Sequence, residues 1–135
     1  IRPEDVVVGA GAKPFIAYAI LSTTDYGAGD EVIYPNPGFP IYESQILAHG
    51  AKPVPIHLHE AKDFAFDLQD LESRLNAKTK LLILNYPHNP TTMSVEPGFF
   101  EEVVRVADRH QVMVLLLSTP SPGPVSMPVR LSAQR

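Results

Sequence analysis

Residues 81–84 read Leu81-Leu82-Ile83-Leu84, an apolar run in which no polar residue alternates with the apolar ones. A strand with one face in water alternates apolar and polar residues, whereas a parallel strand covered by helices on both faces does not. Residues 112–117 form a second unbroken apolar run. Both runs therefore predict parallel strands that are buried inside an α/β domain.

Strand and helix patterns alternate along the chain up to residue 117. Further strands are predicted over residues 6–8, 31–34 and 52–58. Helices are predicted over residues 15–23, 39–48, 67–75 and 100–107. Pro53 and Pro55 favour an edge position for their strand, and Asp67 can cap the third helix. The alternation predicts a three-layer α/β fold, in which helices flank a mostly parallel sheet.

The composition excludes several classes of function. Hydrophobic residues make up 44% and charged residues 19% of the 135 residues, as in ordinary globular domains. The net charge of −4 comes without a basic stripe, which argues against nucleic acid as a partner. No apolar run approaches the ~18 residues that cross a bilayer, so no membrane partner is expected. The absence of cysteine excludes disulfides and thiolate chemistry and is compatible with a cytoplasmic location, which we expect.

The last eighteen residues, 118–135, have a different character. They contain Pro120, Pro122, Pro124 and Pro128, no acidic residue and no apolar periodicity. Proline at this density does not continue a layer of strands and helices. We therefore expect a partial domain over residues 1–117, followed by a disordered or non-homologous tail. Since the first residue is Ile1 rather than Met, we also expect the natural start to lie upstream.

Three loops follow predicted strands, at the edge where parallel sheets bind ligands. The loop at residues 9–13 places small residues before a helix N-terminus, which suits a phosphate but also an empty tight turn. In the loop at 35–39, Phe39 can stack on a heteroaromatic ring or simply fill the core. The loop at 85–91 has two asparagines beside prolines, Asn85 and Asn89, and an asparagine at a strand end can donate to a phenolic oxygen or carboxylate or simply close a turn.

The histidines give no comparable signal. His57 and His59 lie two residues apart on a predicted strand and face the same side, which superficially suggests a metal site. Zinc normally needs three or four ligands, and no third is near in the sequence. A solvated pair of side chains is the favoured interpretation, and no metal is expected.

Taken together, four segments resemble the class I/II aminotransferases, which are pyridoxal 5′-phosphate (PLP) enzymes of fold type I. The segments share the family's order and spacing. They are Gly9-Ala10-Gly11-Ala12-Lys13, Gly29-Asp30-Glu31-Val32, Pro35-Asn36-Pro37-Gly38-Phe39-Pro40-Ile41-Tyr42, and Lys80-Leu81-Leu82-Ile83-Leu84-Asn85 running into Pro87-His88-Asn89-Pro90-Thr91.

The resemblance implies a cofactor, partners and a set of binding residues. PLP would be the cofactor, and an amino acid and a 2-oxo acid the substrates of a homodimeric enzyme. Gly11, Ala12 and Lys13 would hold the cofactor phosphate, Phe39 would stack on its pyridine ring, and Asn89 would donate to its 3-oxygen. In complete enzymes a lysine forms a Schiff base with PLP, and an acidic residue pairs with the ring nitrogen.

The chain also departs from the family pattern. Thr92 stands where the family usually has glycine after Asn-Pro-Thr, and Ser118-Thr119-Pro120-Ser121 follows the last strand where the family has Asp-x-x-Tyr. None of the five lysines lies where the Schiff-base lysine belongs, so no catalytic residue is assigned. We therefore expect a fragment of an aminotransferase that cannot turn over alone. A PLP-dependent C–S lyase of the same fold and a non-catalytic remnant are the alternatives.

Overall fold

A computed structural model describes residues 2–118. It contains four strands and four α-helices in alternation. In chain order they are α1 (Lys13–Thr23), β1 (Glu31–Asn36), α2 (Ile41–Ala48), β2 (Lys52–His57), α3 (Leu68–Arg74), β3 (Thr79–Asn85), α4 (Phe99–His110) and β4 (Met113–Leu117). Short 3-10 turns cover Pro3–Asp5 and Glu60–Lys62. Apart from Ser118, the expected tail lies outside the described residues.

The four strands form one sheet in the order β2-β1-β3-β4, and every neighbouring pair is parallel. The fold class predicted from the sequence is confirmed. β1 stays paired with β2 as far as Asn36 and His57. Its pairing with β3 ends at Ile33 and Leu82. The two central strands are therefore not bonded to each other at their carboxyl ends.

Two buried clusters, one on each face of the sheet, make the three layers. On one face, α1 and α2 contribute Ile16, Ile20, Tyr42 and Ile46 against Val32, Leu81 and Ile83. On the other face, α3 and α4 contribute Leu71, Val103, Val106 and Ala107 against Ile33, Leu82 and Leu84. Successive strand residues point to opposite faces. The run at 81–84 is unbroken because both of its faces need apolar side chains.

Local signals set several helix ends as predicted. Pro14 lies in the first turn of α1, where its missing N–H is not needed. Asp67 caps α3, and its side chain accepts hydrogen bonds from the backbone N–H groups of Gln69 and Asp70 at 2.9 and 3.2 Å. Pro40 is the N-cap of α2, so this helix begins at Ile41, two residues later than predicted. No helix of the described region is long and apolar enough to span a membrane.

The prediction of a strand over residues 6–8 was wrong. Within residues 2–118, Val6, Val7 and Val8 pair with no strand, and they are 55%, 76% and 91% exposed. β-Branched residues suit a strand only where a neighbouring strand and a packed face exist. The described sheet ends at β2 and β4, and neither edge strand pairs with this segment.

The last strand is parallel as predicted, but it is not buried. All five residues of β4 are half-exposed, including Val114, which we expected to find in the interior. β4 pairs with β3 alone and is thus an edge strand among the described residues. The apolar run correctly predicted a strand with apolar side chains on both faces, but the described residues bury these side chains only in part.

Candidate functional site

The strand order reverses between β1 and β3. The chain leaves the carboxyl end of β1 towards α2 and then β2, on one side of the sheet. It leaves the carboxyl end of β3 towards α4 and then β4, on the other side. Ligands of open α/β sheets bind in the crevice at such a switch point. The loop carrying Phe39 and the loop carrying Asn89 leave these two strand ends.

The loop before α1 offers donors to an anion. Gly11 has a φ of +79°, a left-handed conformation that suits glycine, and its N–H donates to the carbonyl of Gly9 at 3.0 Å. The N–H groups of Ala12 and Lys13 donate no hydrogen bond within residues 2–118, and no side chain caps the helix. Both residues are exposed. Free N–H groups and the positive end of the helix dipole favour a phosphate here.

The structure brings this loop next to the aromatic residue after β1. The ammonium nitrogen of Lys13 lies 5.8 Å from the centre of the Phe39 ring. Phe39 is half-buried, and its ring packs edge-on against Tyr42 at 5.9 Å and 90°. The adjacent Gly38 leaves no room for a side chain, because a β-carbon there would overlap the carbonyl oxygen of Pro35. A fixed flat ring thus lies beside the donors of α1.

Asn89 is exposed, in a turn that a buried neighbour holds in place. His88 is only 2% exposed. Its ring Nδ1 lies 2.7 Å from Thr91 Oγ1, and its backbone N–H donates to the Met93 carbonyl at 2.8 Å. Burial lowers the pKa of His88 below its usual value. No hydrogen bond or ring contact of the described residues joins Asn89 to Phe39 or Lys13. Two of the three candidate loops are therefore in contact, and the third lies at the same edge of the sheet.

Tyr42 and Asn85 belong to this region; both stand in segments that resemble the family, but the predicted binding residues did not include them. The Tyr42 hydroxyl is buried and has no hydrogen-bond partner within residues 2–118. Burial raises the pKa of Tyr42 to about 12, and the neighbouring Asn85 side chain partly offsets this. Tyr42 follows Phe39 by three residues, so helical spacing could have placed both on one side. Nothing in the sequence indicated an unpaired hydroxyl.

Four of the five lysines bind groups outside the candidate site. Lys52 pairs with Glu31 at 2.8 Å where β1 and β2 begin. Lys78 and Lys80 donate to the carbonyls of Ala28 and Ala77 before and at the start of β3, and Lys62 approaches Asp67 at 3.4 Å. Only Lys13 lies beside Phe39. The arrangement suits an anion and a flat ring, with Lys13 as the one lysine beside Phe39.

The described residues contain no group of three histidine, cysteine, aspartate or glutamate side chains that could hold a metal ion. The His57 and His59 rings lie 6.5 Å apart, centre to centre, and both residues are exposed. They line a surface cavity of about 300 Å³ together with Lys62, Asp67 and Arg74. The mixed charges of this cavity favour neither an anion nor a cation.

The described residues form a parallel domain of the three-layer α/β class, with free backbone N–H groups before α1 and an aromatic ring after β1. The comparison with known sequences narrows this class. The sequence model of aminotransferase class I and II matches residues 1–116, and the chain belongs to that family. Class I and II aminotransferases depend on PLP.

Individual relatives are similar over most of this chain. Glutamate-pyruvate aminotransferase AlaC of Escherichia coli is 38% identical over 116 residues, which are 85% of this chain and 28% of that protein. LL-diaminopimelate aminotransferase of Halothermothrix orenii is 34% identical over 111 residues, which are 82% of this chain and 28% of that protein. The crystal structure of an aspartate aminotransferase from Thermotoga maritima superposes with a TM-score of 0.80 at 33% identity, covering 86% of this chain and 30% of that one. The chain spans less than a third of these relatives.

Proposed function

We propose that the complete protein is a PLP-dependent aminotransferase that moves an amino group between an amino acid and a 2-oxo acid. In this proposal the described residues form part of its cofactor site. The observation that carries the proposal is the contact between the loop of α1 and Phe39, with Lys13 Nζ 5.8 Å from the ring centre. A phosphate on a heteroaromatic ring needs donors and a flat apolar face side by side.

The residues present fit the phosphate end of such a cofactor. The N–H groups of Ala12 and Lys13 are exposed and free of partners among the described residues, and the glycine at 11 has open space where a β-carbon would stand. The Lys13 ammonium adds a positive charge on the same side. These groups would bind and orient the phosphate, and Phe39 would hold one face of the ring. When bound, PLP supplies the electron sink that the reaction needs.

Asn89 would donate a hydrogen bond to the 3-oxygen of the cofactor. Its support is position: it lies in the loop after β3, at the strand end that faces the switch point. Buried His88 anchors this loop through Thr91 and Met93, so an exposed side chain can be held in a fixed place. Homodimer formation and a cytoplasmic location belong to the same proposal for the complete protein.

Binding of pyridoxine 5′-phosphate, which has no aldehyde and cannot react with lysines, tests the cofactor site directly. Equilibrium dialysis should show weak binding by the 135-residue chain, which inorganic phosphate competes away. Phe39→Leu should lower the affinity about fivefold, since stacking contributes roughly 1 kcal/mol. Lys13→Gln should lower it as well.

The matched control is Lys80→Gln, which removes a positive charge at the amino end of β3 and should leave the affinity unchanged. Thermal unfolding of each variant checks that the fold is intact. Equal affinities of the wild-type chain and a Lys13→Gln, Phe39→Leu double variant would contradict the proposal.

A further inference from the structure

The ring of Phe15 lies against the loop that precedes α1. A β-carbon built on Gly9 would stand 2.8 Å from Cζ and 3.1 Å from Cε2 of Phe15. Carbon atoms pack best at roughly 3.5–4.0 Å, so there is no room for this β-carbon. Helical side chains point back towards the helix N-terminus, and a ring in the first turn of α1 therefore covers residues that precede the helix. The Phe15 ring thus contacts the backbone of Gly9.

The backbone conformation of Gly9 does not itself require glycine. Gly11 has a φ of +79°, in the left-handed region, whereas Gly9 is not among the residues of positive φ. A negative φ is open to alanine. The three atoms nearest to a β-carbon at position 9 all belong to the Phe15 ring. The ring is therefore what excludes a side chain at this position.

Phe15 also restrains a loop that has few other contacts. Residues 6–11 are exposed, and no backbone hydrogen bond of the described residues joins them to a strand or an α-helix. Inside the loop, the Gly11 N–H donates to the Gly9 carbonyl at 3.0 Å. Phe15 is half-buried, and its ring packs edge-on against Tyr18 at 6.1 Å and 89°. The ring is thus anchored on α1, and the loop lies against it.

The position of Gly9 affects the donors that follow it. Its carbonyl accepts the N–H of Gly11, and this bond fixes the chain just before the free N–H groups of Ala12 and Lys13. Donors that are already in place bind an anion better, because ordering a loose loop on binding costs free energy. We propose that Phe15 is a positioning residue of the anion site, whose ring holds Gly9 and thereby the two donors. This inference rests on the proposed function, since the same donors would bind the cofactor phosphate.

A double-mutant cycle between positions 9 and 15 of the 135-residue chain tests the proposal. Phe15→Leu removes the ring atoms that crowd position 9 and keeps an apolar side chain on α1. Equilibrium dialysis measures the affinity of each variant for pyridoxine 5′-phosphate. In the parent chain, Gly9→Ala should lower this affinity roughly fivefold or more, because the β-carbon and the ring cannot both keep their places. In Phe15→Leu, which should itself bind severalfold more weakly, Gly9→Ala should cost nothing or restore part of the affinity, because alanine narrows the conformations of the loosened loop.

Amide order parameters from nitrogen-15 relaxation test the loop without any ligand. In the parent chain, Gly11 and Ala12 should be near the value of about 0.85 that marks a rigid backbone, and in Phe15→Leu they should fall towards about 0.6. Denaturant unfolding separates this loss from a general destabilisation. A purely structural role of Phe15 would lower the stability of Phe15→Leu and leave both the order of the loop and the affinity of the folded chain unchanged.

Tyr26→Leu is the matched control. Tyr26 also covers a glycine, because a β-carbon on Gly50 would stand 2.6 Å from its ring, but it follows the carboxyl end of α1, away from the loop. Tyr26→Leu should change neither the order parameters nor the affinity, and it should not couple to Gly9→Ala.

Two results would overturn the proposal: an equal, measurable cost of Gly9→Ala in the parent and in Phe15→Leu, or unchanged order parameters in Phe15→Leu. Loss of loop order in Phe15→Leu, with no binding of pyridoxine 5′-phosphate by any variant or by the parent, would support the restraint by Phe15 and contradict the proposed function.

Discussion

Two polar side chains near the switch point, those of Tyr42 and His88, are buried. His88 is the buried titratable group nearest to Asn89, and burial lowers its pKa. In the unfolded chain a histidine titrates near its ordinary value of about 6.5. The unfolded chain therefore binds a proton at a higher pH than the folded chain does. The free energy of unfolding should fall as the pH drops from about 7 through this window.

This pH dependence should be carried by His88 itself. His88→Asn keeps a polar atom in reach of Thr91 but removes the titration. Unfolding by denaturant at pH 8, 7, 6 and 5 should show a smaller loss of stability for this variant than for the parent. The exposed histidine at 110 gives the control, because His110→Asn should keep the parental slope. Parallel curves for His88→Asn and the parent would refute the assignment.

At this scale the sequence predicts residues that follow a local pattern. The loop before α1 and Phe39 after β1 were candidates from local patterns, and the family resemblance implied their cofactor roles. The structure places Lys13 next to Phe39. Tyr42 and His88 are notable because they are buried, and Asn85 because it neighbours the Tyr42 hydroxyl. These properties arise only when α2, β3 and β4 pack together, and no local pattern encodes them.

Among the elements, the connection from β1 to α2 is the most tightly constrained one near the site. Gly38→Ala would push a β-carbon into the Pro35 carbonyl oxygen, so the backbone before Phe39 must shift. We expect a loss of about 1–3 kcal/mol in the free energy of unfolding, as for other overpacked positions. Binding of pyridoxine 5′-phosphate should weaken too, because the shift moves Phe39.

Ser44→Ala, on the exposed side of α2, is the control and should change stability by less than about 0.5 kcal/mol. Denaturant unfolding measures both variants. A Gly38→Ala chain as stable as Ser44→Ala would show that the loop adjusts without cost.

Strands were harder to predict than helices for a physical reason. The helices at residues 13–23, 68–74 and 99–110 are set by nearby caps, prolines and apolar spacing. A strand also needs a neighbour, which a local pattern does not supply. Val6-Val7-Val8 has strand propensity but no neighbour in the described sheet, and the β4 run has a neighbour on one side only. Both segments have strand propensity, and the presence of a neighbouring strand decided which of them formed a strand.

For the molecule as a whole, the placement of the lysines predicts whether the chain can bind PLP covalently. Four of the five lysines hydrogen-bond or pair with groups outside the candidate site, and only Lys13 lies beside Phe39. Covalent anchoring of PLP needs an amine placed at its aldehyde. Purified chain treated with PLP and borohydride should therefore show no adduct concentrated on a single lysine, as mass spectrometry of its peptides would reveal.

The same reasoning predicts no amino-acid-dependent formation of 2-oxo acid above the rate given by free PLP. Free PLP at equal concentration is the control for this assay. Specific labelling of Lys13, lost in Lys13→Gln and accompanied by turnover, would show that this lysine has taken over the missing role.

The two edge strands of the described sheet, β2 and β4, differ in how many backbone N–H groups they leave free to bond an added strand. In β2, Lys52 and Leu58 donate their N–H groups to Asp30 and Asn36, so the odd-numbered residues between them face outward. Two of those three are Pro53 and Pro55, which have no N–H to offer. In β4, the Leu117 carbonyl accepts from Tyr86, which leaves the backbone groups of Val114 and Leu116 facing outward, and neither residue is a proline. Of the two edges of the described sheet, β4 is the one at which an added strand would find backbone N–H donors at every outward-facing residue.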